Sequence, residues 1–245
     1  MSNIDNIKIS LDQFKTKLDQ VKSKNSLKHK SSYYGYDILS NINHLSNIIE
    51  HNLNIFTESK NIIDIGCADG DLSFFLEYMY PDKNYTCLDY SKTNWNNLEG
   101  LKKLQNKLKS KVKIIDEDIE ELQLSEKYDL TIALGLLYHI KNPIRFLEVI
   151  QKHSDYVLFS TRIASFTPDS KYNISKYSYG YFPSHNEINN DNTNWWIFTD
   201  SCLRKMFERI GFNIVSETIL SSDKISLPND PDKDARYFAL LKNKF

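Results

Sequence analysis

Ile62-Ile63-Asp64-Ile65-Gly66-Cys67-Ala68-Asp69-Gly70-Asp71 is the stretch that decides the fold. An apolar run, Asn61 to Ile65, has the length of a buried strand and ends at Gly66. The residues after the glycines, Leu72 to Tyr80, read as a helix stopped by Pro81. Strand, glycine turn and helix in succession form a corner of an open α/β sheet. Ligands bind there, at the carboxyl ends of strands near the point where strand order reverses. The glycines let the backbone approach a ligand with no side chain in the way. Asp89 closes the next apolar run, Tyr85 to Asp89, 23 residues after Gly66, and a carboxylate so placed can accept the hydroxyl hydrogens of a ribose.

Working outward, apolar runs continue at Val112–Ile115, Asp129–Leu134 and Tyr156–Thr161. Between them lie helical patterns at Trp95–Leu108, with Leu98, Leu101, Leu104 and Leu108 on one face, and at Pro143 to about Lys152, where proline suits the first turn. Such alternation predicts a parallel sheet with helices on both faces. A helix over Thr199–Ile210, ended by Gly211, precedes two last strands, Phe212–Thr218 and Arg236–Leu241. Residues 163–198 show no period and are rich in Asn, Ser and large rings, which marks a lid insertion. Upstream, Leu11, Phe14, Leu18 and Val21 form one helical stripe, and Ile38, Ile42, Leu45 and Ile49 a second. The expected layout is an N-terminal helical extension over 1–57 and a main domain over 58–245.

Bulk properties narrow the class. The 245 residues suffice for one α/β domain with additions. With 31 Lys and Arg against 32 Asp and Glu there is no basic excess, which weakens a nucleic-acid role. The three cysteines, Cys67, Cys87 and Cys202, form no C-x-x-C pair, so neither a disulfide framework nor a metal site is expected, and a reducing, cytoplasmic setting fits. No signal peptide is visible, and the longest apolar run, Leu130–Leu137, is too short to cross a bilayer.

Two ligands compete for the turn. A dinucleotide needs G-x-G-x-x-G, but the matching positions here are Gly66, Ala68 and Asp71, and an aspartate beside a pyrophosphate repels it. Acids at 64, 69 and 71 suit a cation, such as a sulfonium with its amino group.

On these residues the chain resembles the class I S-adenosylmethionine-dependent methyltransferases over about residues 58 to 243. The resemblance implies a Rossmann-like, doubly wound, seven-stranded α/β sheet of order 3-2-1-4-5-7-6 with the last strand antiparallel, and S-adenosyl-L-methionine as cofactor. It assigns Asp64, Gly66, Cys67, Ala68, Asp69 and Gly70 to the first cofactor motif and Asp89, followed by Tyr90, to the ribose. Asp118 and Ile119 then recognise adenine, and Leu134 and Gly135 border cofactor and substrate. Leu134-Gly135-Leu136-Leu137-Tyr138-His139-Ile140-Lys141-Asn142-Pro143 also looks like the same stretch in relatives of the tRNA wobble-uridine carboxymethyl-transferring enzymes. There the lid arginine that helps to hold a carboxylated cofactor is replaced here by Thr193, and a proline by Thr199, so the plain cofactor is expected.

His139 is either the general base or a packed histidine bonded to backbone. Tyr138 lines the acceptor pocket. Cys67 and Cys87 read as small buried hydrophobes rather than nucleophiles. Tyr34 and Tyr36 resemble aromatics that cover the cofactor. Arg162 either holds an anionic substrate group or forms a surface ion pair. Asn194 and Trp195, with Trp196, belong to the lid, as substrate contacts or as its anchors. Three functions follow: methylation of O or N on a small molecule or glycan, tRNA modification using Lys15, Lys17, Lys22, Lys24, Lys28 and Lys30, or a non-catalytic cofactor-binding module. A dimer contact through the first helix is compatible with each.

Overall fold

A computed structural model describes residues 3–24, 33–34, 37–188, 190–221 and 225–245. The chain forms two compact units, Met1–Glu121 with Tyr128–Leu130, and Leu122–Lys127 with Thr131–Phe245.

The first unit holds α1 (Asn3–Lys24), α2 (Asn41–His51), α3 (Leu53–Glu58), β1 (Asn61–Ile65), α4 (Asp71–Met79), β2 (Asn84–Asp89), α5 (Glu99–Leu108) and β3 (Lys113–Asp116). β1 and β2 run parallel with Asp64 opposite Cys87, and β2 and β3 run parallel with Asp89 opposite Asp116. This register brings the acids that end the strands to one edge. Leu11, Phe14 and Leu18 of α1 are buried as the stripe requires. The Phe14 ring lies 5.7 Å from Phe75 and 5.5 Å from Tyr78, both on α4. At the far end of α1, Lys22 Nζ reaches Asp71 Oδ2 at 2.6 Å.

Two local expectations shift. The buried face of the second helical stripe is Leu39, Ile42, Leu45 and Ile48, not Ile38 and Ile49, because steps of three rotate the stripe by one residue. α5 starts at Glu99 instead of Trp95. Asn97 and Leu98 sit in the left-handed region, at φ 55° and 63°, which no α-helix can include. Asn94 Oδ1 accepts from the backbone N–H of Asn96 and Leu98, at 3.1 Å each, and fixes that turn.

β4 (Tyr128–Leu134) begins in the first unit and ends in the second. The second unit continues with α6 (Pro143–His153), β5 (Ser154–Ile163), β6 (Gly180–Tyr181), β7 (Ile197–Phe198), α7 (Asp200–Ile210), β8 (Phe212–Ser221) and β9 (Ala235–Asn243). Asn142 caps α6 ahead of Pro143, and Thr199, expected inside α7, instead caps it by accepting from the Cys202 N–H. β9 pairs antiparallel with both β5 and β8. The strand order is β3-β2-β1-β4-β5-β9-β8, the expected order once two unforeseen short strands are counted. Those strands, β6 and β7, tie the aperiodic stretch down: they pair antiparallel, and β7 meets β5 at Ile163↔Phe198. Two-residue strands leave no periodicity to read. Among the described residues no helix is long and apolar enough to cross a membrane.

The Lys22–Asp71 pair is largely shielded from water, and removing one partner of such a pair leaves a buried charge uncompensated. Lys22→Ala should therefore lower unfolding stability by about 2–4 kcal/mol, read as a drop in urea midpoint at unchanged slope; an unchanged midpoint would show that α1 is not anchored there.

Candidate active site

In the first unit the site is built by one turn. Gly66 N–H donates to the Leu88 carbonyl at 2.8 Å, and Ala68 N–H donates to Asp89 Oδ2 at 2.8 Å. The exits of β1 and β2 are thus joined by backbone. Gly66, Ala68 and Gly70 all have positive φ, 72°, 54° and 76°. At Gly70 this is compounded by space: an added Cβ would stand 2.5 Å from Leu101 Cδ1, so only glycine can start α4 here.

The acids at this turn divide by what they hold. Asp69 accepts from the Tyr34 N–H at 2.6 Å on one oxygen and from Asn96 Nδ2 at 2.8 Å on the other. Asp71 is paired with Lys22. The charge that the turn offers a ligand therefore narrows to Asp64 and Asp89. Asp64 is buried with one protein donor, Ser73 Oγ, at 2.9 Å on Oδ2. Burial raises its pKa to about 7 against the Ser73 bond, with the Asp89 charge adding to the rise. Asp89 takes three donors: Ala68 N–H and Asn94 Nδ2 on Oδ2, and Tyr90 N–H at 2.7 Å on Oδ1. A carboxylate has about four lone-pair directions, so its free direction lies on Oδ1. Burial outweighs those bonds and raises its pKa too.

Other residues of the first unit take these places. Cys67 and Cys87 are buried, and burial drives the Cys67 thiol well above its usual range, so it is no thiolate nucleophile. Tyr34 lies against the turn: its hydroxyl accepts from the Trp95 N–H at 3.0 Å, and burial pushes its pKa to about 12. Tyr36 lies outside the described residues. Asp118 Oδ1 accepts from the Glu120 N–H at 3.0 Å at the head of a short 3₁₀ turn, Ile119–Glu121, and Ile119 is buried. Asp116, at the end of β3, holds the Ser91 N–H at 2.9 Å, which lowers its pKa.

The second unit carries the residues expected on the acceptor side. Gly135, at φ 69°, follows Leu134 at the end of β4, and its N–H donates to both Ser160 O and Ser160 Oγ at 2.9 Å. A 3₁₀ turn, Leu137–His139, comes next. His139 Nδ1 lies 2.8 Å from Thr193 Oγ1 and 3.2 Å from Thr193 O. Thr193 Oγ1 donates to Asp191 Oδ1 at 2.6 Å, so its hydrogen is committed and it acts as acceptor toward the imidazole. Both partners of Nδ1 are then acceptors. Nδ1 carries the proton, and Nε2 presents a lone pair with no partner among the described residues. Burial, with the Arg236 charge, holds the His139 pKa below its usual value against Asp191 and the Thr193 bond, so the ring is neutral near pH 7.

Tyr138 accepts at Oη from Arg236 Nη1 at 3.2 Å, and its carbonyl accepts from the Trp195 N–H at 2.7 Å. Trp196 is an anchor: Nε1 donates to Lys141 O at 3.1 Å, and the ring stacks on Phe198 at 5.7 Å. Trp195 is half-buried against Phe182, 5.9 Å between rings, with Lys141 Nζ 5.3 Å over its face. Asn194 is used within the lid, donating to Asp191 O at 3.1 Å. Arg162 forms no surface ion pair: it is 3% exposed and donates to the carbonyls of Leu227 and Asp230. Sequence reasoning missed Ser73, Asn94, Asn96, Asp191 and Arg236. Only Arg236 carried a signal, a lone charge in the apolar run Ala235–Leu241.

The family model described as "Methyltransferase domain" matches residues 30–217. A protein named malonyl-[acyl-carrier protein] O-methyltransferase 2, from Ilyobacter polytropus, is 32% identical over 118 residues, 44% of this chain and 43% of that protein, so the matched region spans under half of that relative's length. Coclaurine N-methyltransferase, solved with N-methylheliamine and S-adenosylhomocysteine, superposes with TM-score 0.61 at 13% identity, covering 99% of this chain and 88% of the other. The N-terminal domain of EvdMO1, solved with S-adenosylhomocysteine and D-fucose, gives TM-score 0.58 at 16% identity, covering 94% and 96%.

Because Asp64 is raised from 3.8 to about 7, its ionisation works against folding, and stability present below pH 4 is lost as pH rises toward 7. Asp64→Asn keeps the Ser73 bond and removes that charge. The variant should melt several degrees higher than wild type at pH 8, with the gap closing near pH 4; a gap independent of pH would contradict the buried ionisation.

Proposed function

The chain belongs to the methyltransferase-domain family, whose cofactor is S-adenosyl-L-methionine, and from that premise we propose that it moves a methyl group to an oxygen or nitrogen of a small-molecule or glycan acceptor. The observation that carries this reading is Asp89, buried, fixed by Ala68 and Tyr90 N–H groups at a glycine turn, with one lone-pair direction left for a hydroxyl. Asp64 adds a second buried carboxylate, and two such groups with little protein cation between them suit a positively charged nucleoside and repel a pyrophosphate. The residues present fit the cofactor. Asp89 takes the ribose, Asp64 lies toward the amino group, and Asp118 with the Ile119 N–H takes adenine.

When bound, the cofactor supplies an electrophilic methyl carbon on a sulfonium. The chain then has three tasks. Gly135, held by Ser160, lines the acceptor side without a side chain. The lid turn around Trp196 excludes water. His139 Nε2 accepts the proton of an acceptor hydroxyl or amine, because Thr193 and Asp191 keep the other ring nitrogen protonated. Alignment of donor and acceptor is worth up to roughly 7–11 kcal/mol, and a general base about 10²–10⁴-fold more.

The relatives support an acceptor of this size, being named for a carrier-bound malonyl group and for an N-methylated small molecule, or solved with a sugar present. The tRNA wobble-uridine reading has weaker support. It asks for a cation where Thr193 stands, and Thr193 is engaged with His139 and Asp191. Near-zero net charge also offers little to phosphates.

Asp89→Ala should weaken S-adenosyl-L-methionine binding at least tenfold by calorimetry, about 1.4 kcal/mol or more; unchanged affinity would sink the cofactor assignment. With an acceptor in hand, turnover should rise with pH along a limb centred below 6.5, since the active His139 is neutral and its pKa is lowered. His139→Ala should abolish that limb and cost about 10²–10⁴-fold in kcat, with cofactor affinity kept; a limb that survives the substitution would remove the base.

A further inference from the structure

Arg162 on β5 and Arg236 on β9 are direct partners in the antiparallel register. Directly opposed residues share one face of the sheet with their Cβ atoms about 5 Å apart, and like charges there oppose each other. Both arginines are well inside the protein: Arg162 is buried and Arg236 half-buried. The carboxylate between them is Asp234, which receives Arg236 Nη2 at 3.1 Å on Oδ2. Among the described residues Arg162 hydrogen-bonds only to the carbonyls of Leu227 and Asp230, through Nη2, and its buried Nε has no hydrogen-bond partner. The Asp230 carboxylate also attracts Arg162, but it is shared with Lys233, whose Nζ lies 3.9 Å from its Oδ2. Two guanidinium charges and the Lys233 ammonium therefore share two carboxylates, Asp234 and Asp230. A purely structural knot between β5 and β9 would need no second arginine, and hydrophobic residues at both positions would hold the strands without this repulsion.

The pair borders the acceptor side of the proposed site. Arg236 Nη1 bonds to Tyr138 Oη, and the guanidinium lies 5.3 Å from the Tyr138 ring centre. The Tyr138 and His139 rings are 4.1 Å apart on the same 3₁₀ turn. An added Cβ on Gly135 would stand 3.8 Å from Arg236 Nη1. Within the second unit, one small region thus combines a neutral imidazole with a free Nε2, a phenol, a bare glycine and a surplus positive charge.

Resting on the methyltransferase reading, we propose that the acceptor carries a carboxylate, and that the Arg236–Arg162 pair binds it while His139 takes the proton from the neighbouring hydroxyl or amine. A planar guanidinium matches a carboxylate in geometry as well as charge. In the transfer, the acceptor O–C or N–C bond forms as the S–C bond breaks. The S–C electron pair stays on sulfur as the neutral thioether, and the acceptor proton moves to His139 Nε2. The carboxylate is an anchor and is not itself consumed. Arg236, which would touch the acceptor, sets specificity; Arg162 positions it and supplies the second charge.

The test uses full-length protein saturated with S-adenosylhomocysteine, whose own binding is measured first by calorimetry. Arginine side-chain N–H resonances are then followed by NMR on adding benzoate or malonate, their uncharged amides, or sulfate. Expected are saturable shifts of Arg236 and Arg162 with the carboxylates and none with the amides. Affinity should fall roughly 10- to 100-fold in Arg236→Gln, as for one lost charge-assisted hydrogen bond. Arg236→Lys should recover part of it, and S-adenosylhomocysteine affinity should stay the same in both variants. Shifts absent for the carboxylates in wild type, or equal for sulfate, would overturn the proposal while leaving the cofactor reading intact; failure of S-adenosylhomocysteine to bind would instead strike that earlier reading. Tighter binding of a carboxylated cofactor than of the plain one, lost in Arg236→Gln, would move the carboxylate from acceptor to cofactor and likewise overturn it. The titration of wild type decides the matter even if the glutamine variant fails to fold.

Discussion

A backbone N–H of Ala68 points at the carboxylate of Asp89, and a backbone N–H of Gly66 at the carbonyl of Leu88. Through these bonds the end of β1 is held to the end of β2, and the loop between β1 and α4 is given one shape. That shape requires three positive φ angles in five residues. It also fixes where the first unit can place a ligand, because the carboxylate that would meet a ribose is the same group that closes the turn. Binding chemistry and local structure share one atom set, so neither can change alone.

Buried acid is costly, and the first unit handles its four buried aspartates, Asp64, Asp69, Asp71 and Asp89, in two ways. Asp69 and Asp71 are matched by Tyr34, Asn96 and Lys22, groups of the N-terminal region and of the loop after β2. These acids therefore hold the N-terminal helix and the segment at Tyr34 against the turn. Asp64 and Asp89 are left with hydrogen bonds but no cation, and burial raises the pKa of both. The N-terminal segment and the loop after β2 thus engage Asp69 and Asp71 and leave Asp64 and Asp89 as the buried acids with no cation. A cationic ligand would relieve the strain that the remaining two impose.

The second unit shows a complementary arrangement. The aperiodic stretch between β5 and α7 is ordered by two-residue strands, by Trp196 on Phe198, and by the Tyr138 carbonyl receiving the Trp195 N–H. Its Asp191–Thr193 pair reaches the imidazole of His139 and fixes its tautomer. A histidine that sequence left between two roles is in this setting a neutral imidazole with one nitrogen engaged and the other available for the proposed base role. Bonding to the lid backbone and readiness as a base are compatible, since they use different ring nitrogens.

Local chemistry determined much of this protein from its sequence alone. Apolar runs alternating with helical stripes marked seven strands, because burial on both faces of a parallel sheet leaves a pattern in consecutive residues, while their order came from the family resemblance. Gly66, Gly70 and Asp89 were legible for the same reason: a left-handed turn and a strand-end acid are properties of a few neighbouring positions. Boundaries that depend on side chains reaching across a loop, such as the start of α5 after Asn94, were not. Nor were the partners of each acid. Asp64, Asp69 and Asp71 look alike in sequence, and only the fold brings Lys22 to one, Tyr34 and Asn96 to another, and Ser73 alone to the third. The pairing of Arg162 with Arg236, and of His139 with Thr193, joins residues more than fifty positions apart. Charge and hydrogen bonding act through space at a few ångströms, and sequence separation carries no record of which distant groups will come within that range.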